Sequence, residues 1–453
     1  GGGIYITART IEGTTGQVLA NGGNGNLNTT DQCGGGGGGR IALICDPAAQ
    51  ALVPKPTLRV SADRGFANRI GGIGSIRIND IRLLPNAFID DGGSVSGYGS
   101  TWDPSSVFFS NAWVTLAETG LTLNVAGDLR VVGVSRVELA DGTLLTLGGN
   151  LEVGKGTNRF IGGSLTLTNS PELHVRAGGD VRVAGSVRLN TNANVYVYAP
   201  LTNDVVQTGT VFRVGGTMVV SSNAWVYPQC STNGGIVVFE VPAVTVAAGG
   251  GFNAQGRGWP GAPALNTTPS AAAHGPGRGK YFGGGKGGGG GGYGGVGGGH
   301  SLDVTYGATY GDSNAPALPG SGGGGGDNAG GAGGGVIVLE AEQVTLDGTL
   351  NADGGANLAT PWQGGGSGGS IFVRCHRFAG NGGMLRAKGG TGGTGNQTGA
   401  GGGGRIAIWR AKDSSIGVTA NVDPGDGGNL VDKAEGTVVW WMLSPRGTVF
   451  VVH

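Results

Sequence analysis

The chain has 453 residues, 103 of them glycine, roughly three times the usual share, and only 13% are charged. With 29 basic and 29 acidic residues the formal net charge is zero, which lacks the basic surplus that nucleic-acid or anionic-membrane binding needs. Hydrophobic residues reach 38% and gather in short β-type runs, so this is not the composition of a disordered chain, and no window approaches the ~18 apolar residues of a membrane-crossing helix.

Length gives a prior of roughly two to four domains. The first residue is Gly1, with no methionine and no signal peptide before it, which points to processing or to excision from a longer polypeptide. Residues 2–25, GGIYITARTIEGTTGQVLANGGNG, set a plan: a Gly pair, an alternating apolar run, a turn, a second short run ending in x-Ala-x-Gly, then a Gly-rich insert. Period-two alternation reads as strand. The plan recurs at 234–258, 334–355 and 368–392. Two inserts also close alike, GGGGGGRIALIC at Cys45 and GGGGRIAIWR at Arg410, and Arg40 and Arg405 stand 365 positions apart. Residues 1–90 therefore read as the closing part of a Gly-rich β module, and 91–453 as one complete module with the same ending.

Residues 91–247 form a second zone. Short runs recur behind Gly or Asn turns, among them LTLNV (121–125), SRVEL (135–139), PELHV (171–175) and GTVFRV (209–214), and SNAWV occurs at both 110–114 and 222–226. Strands this short, with no helical stretch between them, fit a parallel β-helix or β-solenoid, with a β-sandwich as the alternative. Residues 248–410 return to the Gly-rich plan. Their densest stretch, GGGKGGGGGGYGGVGGG (283–299), holds fourteen glycines in seventeen residues. Serine is sparse, and Tyr281, Phe282, Tyr293, Val296, Leu302, Tyr306 and Tyr310 punctuate the run, so ordered polyglycine-II-like inserts are expected rather than slack linkers. Residues 411–453 are a C-terminal β segment. There Trp440 and Trp441 point to opposite faces of a strand, one toward the core and one toward a neighbouring subunit. GTVFVVH at the end is a candidate strand for augmenting another copy. Trp440, Trp441, Val449, Phe450 and Val451 are the candidate assembly contacts.

Reactive groups are scattered. The GxGxxG matches follow from composition alone and lack a strand–loop–helix context. His174, His274, His300, His376 and His453 show no metal-pair spacing, and Asp327 in GGGGGDNAGG has no repeat behind it as a calcium loop would. No cofactor and no metal are expected. Asp128, Glu138, Asp141, Glu152, Glu172 and Asp180 read, with the arginines among them, as a solvated charged face; stacking into a catalytic cluster is the competing possibility. The Thr pairs of LTLT (165–168) are too few for an ice-binding ladder. Trp113 and Trp225 in the duplicated SNAWV read as structural. Cys33, Cys45, Cys230 and Cys375 allow three disulfide connectivities, or remain buried thiols. Asn28, Asn266 and Asn396 sit in glycosylation sequons.

The pairing GGGSGGSIFVRC…LRAKGGTGG…GGGGRIAIWR resembles the Gly-rich repeats of very large secreted bacterial surface proteins, over residues 1–45 and 234–410. The resemblance implies a cell-surface or matrix location and names no ligand. The expected function is a non-enzymatic extracellular structural protein, a fibre or filament segment that associates with copies of itself. The alternatives are an adhesin that holds a surface glycan, and a carbohydrate-active β-helix enzyme with three or more carboxylates on successive rungs of one groove.

Overall fold

The computed structural model describes residues 1–25, 34–66, 71–133, 135–140, 143–147, 151–153, 159–162, 164–167, 172–175, 180–183, 185–199, 210–264, 273–280, 287–299, 306–326, 328–355, 362–393, 398–427 and 433–444. The chain is nearly all-β, with strands that pair in parallel; the helical elements among the described residues are the short turns Pro47–Gln50 and Ile81–Leu83. It divides into two compact units, Gly1–Val187 and Arg188–His453. Among the described residues no helix is long and apolar enough to cross a membrane.

In the first unit the strands up to Gly92–Ser96 pair with every second strand along the chain, and from Ala87–Ile89 onward each pairs with the third strand after it. Val107–Ser110, Trp113–Leu116 and Thr122–Val125 are followed by Leu129–Val132, Arg136–Leu139 and Leu144–Leu147, each paired in register with its counterpart. One ladder runs Gly92↔Trp113, Trp113↔Arg136, Arg136↔Arg159 and Arg159↔Asp180, steps of 21 or 23 residues. The strands alternate half-exposed and buried positions, because successive side chains leave a strand on opposite sides. Val114, Leu116, Leu123, Val125, Leu129, Val131, Val137, Leu145 and Leu147 fill the interior. The turns need a left-handed residue, which Asn supplies most readily after Gly. Asn111 and Asn223 have φ of 51° and 58°, so both SNAWV copies make the same turn.

In the second unit the ladders lengthen. Val237–Glu240 and Ala243–Val246 both pair with the single strand Val336–Leu346, and the strands that follow, Ser370–Asn381 and Arg405–Ile416, are just as long. Val336↔Ser370, Ser370↔Arg405 and Arg405↔Thr437 are steps of 34, 35 and 32 residues. The added length is glycine insert. Each insert is tied at its return: Gly335, Gly369 and Gly404 donate from their N–H to the carbonyls of Ala254, Ala352 and Ala387, which are the alanines of the x-Ala-x-Gly signature. Gly39 to Ala20 repeats the tie in the first unit.

Between those ties the glycines form a bundle rather than a sheet. The segment 288–292 exchanges backbone hydrogen bonds with Gly277 and Lys280, with Gly298, with Gly307, with Gly324, with Gly365 and with 399–402. A pleated strand has room for two neighbours; this one has six. Strands without side chains can approach on every side and satisfy one another's N–H and C=O groups. The requirement is space rather than backbone freedom. A Cβ on Gly290, Gly364, Gly399, Gly401 or Gly403 would meet a neighbouring backbone carbonyl closer than 3.0 Å, and none of these has the left-handed φ that glycine alone adopts easily.

Tyr293 is the exception inside the bundle. It is fully buried, its hydroxyl lies 2.7 Å from Ser370 Oγ, and its ring meets that of Tyr310 at 4.7 Å. Arg405, 7% exposed, donates from Nε and Nη2 to the Tyr310 carbonyl at 3.0 and 2.8 Å and from Nη1 to Thr437 Oγ1 at 3.1 Å. The insert is thus fastened to the ladder by a cation whose acceptors are neutral carbonyl and hydroxyl oxygens.

Candidate functional site

The strand Thr437–Met442 pairs in parallel with Arg405–Ile416, and among the described residues its other edge is open. Trp440 stands beside Ile408 and Trp441 beside Trp409, so the two indoles leave opposite faces. The expectation that one of them is core fails: they are 39% and 50% exposed. The reason is their place on an outer strand. Trp440 extends the inward row of Leu339, Val373 and Ile408, all buried, but among the described residues no further strand covers its far side. Its ring meets Phe378 edge-on at 6.0 Å and lies under the Arg410 guanidinium at 5.0 Å; Trp441 tilts against Trp409 at 6.1 Å. Val438 and Met442 are exposed on the same strand, and Tyr5 and Ile6 on Gly3–Thr7. Val449, Phe450 and Val451 lie outside the described residues.

A second concavity lies on the outer side of the long strands. The positions that face outward just before each strand bends are Arg213, Glu240, Glu340, Arg374, Trp409 and Trp441, consecutive partners across six strands. The first four line an open groove of about 700 Å³, together with Val241, Pro242, Ala341, Cys375, Ala411 and Leu443, and with Glu342 and His376 two residues beyond Glu340 and Arg374 on the same strands. Arg213 donates to Glu240 at 2.7 Å. Glu340 and Arg374 are exposed neighbours in register, and among the described residues neither forms an ion pair. Burial raises the Cys375 thiol to about 12, so the sulfur of this lining residue is neutral SH.

This groove was not anticipated. Three carboxylates line it, Glu240 and Glu340 on adjacent strands and Glu342 two residues further along the second, and none of the three was among the carboxylates singled out from sequence. Of those, Glu138 pairs with Arg136 and Glu152 with Arg130, the second at 3.0 Å. Asp128 also has an interaction partner. Asp141 and the side chains of Glu172, His174 and Asp180 lie outside the described set. A usable signal was present: in GGIVVFE, GGVIVLE, GGSIFVR and GGRIAIW the residue five places after the Gly pair is Glu240, Glu340, Arg374 or Trp409.

The remaining candidates separate plainly. Trp113 packs under the guanidinium of Arg64 at 3.5 Å and of Arg136 at 4.7 Å, and Trp225 is half-buried beside the second SNAWV turn. His274 is exposed and His376 belongs to the groove. Cys45, Cys230 and Cys375 are buried free thiols. Among the described residues no group of three or more His, Cys, Asp or Glu is arranged to hold a metal ion. Cys33, Asn28, Asn266, Asn396, His300, Asp327 and His453 lie outside the described residues. No protein-family model, curated protein or solved structure matches the chain.

Proposed function

We propose that the chain is a β-solenoid with polyglycine-II-like inserts, and that it serves as a non-enzymatic structural protein, a segment of a bacterial surface fibre that assembles through strand or solenoid-end contacts. One observation carries the reading: parallel strand ladders stop at apolar strand edges that no described residue covers, Thr437–Met442 in the second unit and Gly3–Thr7 in the first. An open, apolar strand edge is a template for another chain, and contact between two different edges propagates instead of closing. The glycine bundle suits a load-bearing role, because its cohesion lies in backbone hydrogen bonds that leave no soft side-chain layer. The extracellular placement rests on the resemblance to Gly-rich surface repeats.

Electron microscopy of the purified chain across a concentration series tests the reading. Filaments that lengthen with concentration are expected, and Trp441→Lys, which puts a charge on the exposed edge, shortens them. Dispersed monomers at every concentration overturn it.

A further inference from the structure

We propose that the outward groove of the second unit is a binding site for a neutral, linear oligosaccharide that lies across the strands. The proposal does not depend on fibre formation. The groove crosses successive strands of one ladder, so its side chains recur at the ~4.8 Å strand spacing, about 24 Å over the six strands from Thr210–Val214 to Thr437–Met442. That repeat is close to the length of one pyranose unit, so a linear sugar chain keeps step with the rungs where a folded ligand would not.

The charges select for neutrality. Reading along the row, the order is Arg213, Glu240, Glu340, Arg374, and Glu342 and His376 line the same groove. Two guanidinium groups at the ends repel a polycation and three carboxylates repel a polyanion; adjacent donors and acceptors of opposite sign suit hydroxyl groups, each of which donates and accepts. Glu340 and Arg374 are the pair with capacity to spare, exposed and forming no ion pair among the described residues. Carboxylate and guanidinium both bind bidentately, which fixes the orientation of vicinal hydroxyls. At one end the same row passes into Trp409 and then Trp441, whose rings lie 6.1 Å apart, the second half-exposed. An exposed indole beside a polar row offers an apolar platform to the C–H face of a sugar ring. Val241, Pro242, Ala341, Ala411 and Leu443 also line the groove and add apolar surface beside the polar row.

The test is titration of the purified chain with three neutral hexasaccharides, β-1,4-glucose, β-1,4-N-acetylglucosamine and α-1,4-glucose, followed by calorimetry and tryptophan emission. Heparin and polylysine serve as charged probes. At least one hexasaccharide is expected to saturate and to shift the emission, with the same Kd at low salt and at about 0.5 M NaCl, where surface charge attraction is screened out. Glu340→Gln is expected to weaken that binding about tenfold, the loss of a charged hydrogen-bond acceptor, and Trp441→Ala to abolish the emission change. Glu340 stands three strands in from the open-edge strand, so its substitution leaves filament length unchanged and separates this site from assembly. The proposal is overturned by saturation with none of the hexasaccharides, by binding of only heparin or polylysine that collapses in salt, or by hexasaccharide binding that Glu340→Gln leaves untouched.

Discussion

Two stretches of this chain build parallel ladders in different materials. From Gly92 to Asp180 the chain rejoins the same ladder every 21 or 23 residues, passing through two further short strands each time. From Val336 to Thr437 it takes 32 to 35 residues, and what lies between is glycine insert. The first stretch coheres through inward Leu and Val, so its weak point is a missing methylene, which leaves a cavity. The second has such a core as well, but its inserts cohere through backbone groups at the closest approach glycine allows. Their weak point is an added methyl.

The largest effect should come from making that addition. In Gly399→Ala the new methyl meets the Gly298 carbonyl and the Gly290 amide, all main chain, with no flexible side chain to yield. Overpacking of this kind costs about 3 kcal/mol. Gly72→Ala adds the same methyl where nothing lies within 4 Å and φ is not left-handed, and should stay within about 0.5 kcal/mol. Urea denaturation of both variants measures the difference. Equal, small effects would mean that the inserts are not packed. In the other stretch the sense reverses, and removing mass from Leu145, 1% exposed, costs about 3 kcal/mol.

A smaller effect separates the two copies of one motif. Arg405 and Arg40 each follow a glycine run and precede Ile-Ala. Arg40 is exposed; Arg405 is buried under the Tyr293–Tyr310 insert and serves its carbonyls. Arg405→Met keeps the bulk and strands those acceptors, at a cost of about 2 kcal/mol, while Arg40→Met should fall within about 0.5 kcal/mol. Thermal melts of the two variants compare them, and a cost at Arg40 equal to that at Arg405 would show that the covering insert is irrelevant.

That pair also marks where sequence reading stops. Strands were legible wherever alternation met a Gly or Asn turn: LTLNV contains Thr122–Val125, and SRVEL contains Arg136–Leu139. The tie between x-Ala-x-Gly and the returning Gly pair was legible as a repeated signature. Partnership within the bundle was not, because a glycine run carries no side-chain code to say that Gly298 meets Ala400 or that Gly291 meets Gly365. The groove was missed for a different reason. Glu240 and Glu340 are register partners a hundred residues apart, and the insert between them hides the adjacency unless the Gly pairs are superimposed. That Trp440 and Trp441 leave opposite faces was legible; that neither is buried was not, since burial depends on what covers the next strand.

The smallest effect is a pH dependence in the glycine-bundle stretch, and it depends on the side chain locked inside it. Burial raises the Tyr293 phenol from its ordinary 10.0 to about 12, a rise that its bond to Ser370 and the nearby Arg405 only partly offset. The folded chain therefore keeps the Tyr293 proton at a pH where the unfolded chain gives it up. The stabilisation this represents is complete below pH 10, and it is lost as pH rises from 10 through 12 at about 1.4 kcal/mol per unit. Cys230, fully buried and raised from 9.0 to about 12 by burial, adds the same sense of slope from pH 9 upward. Tyr293→Phe removes the titrating group and leaves the ring on Tyr310. Its stability, measured by urea denaturation, should be lower than that of the parent at pH 8 by the lost bond to Ser370. The deficit should shrink by about 1.4 kcal/mol at pH 11. A deficit that stays constant from pH 8 to pH 11 would place Tyr293 in contact with water, and the bundle around it would then be loose.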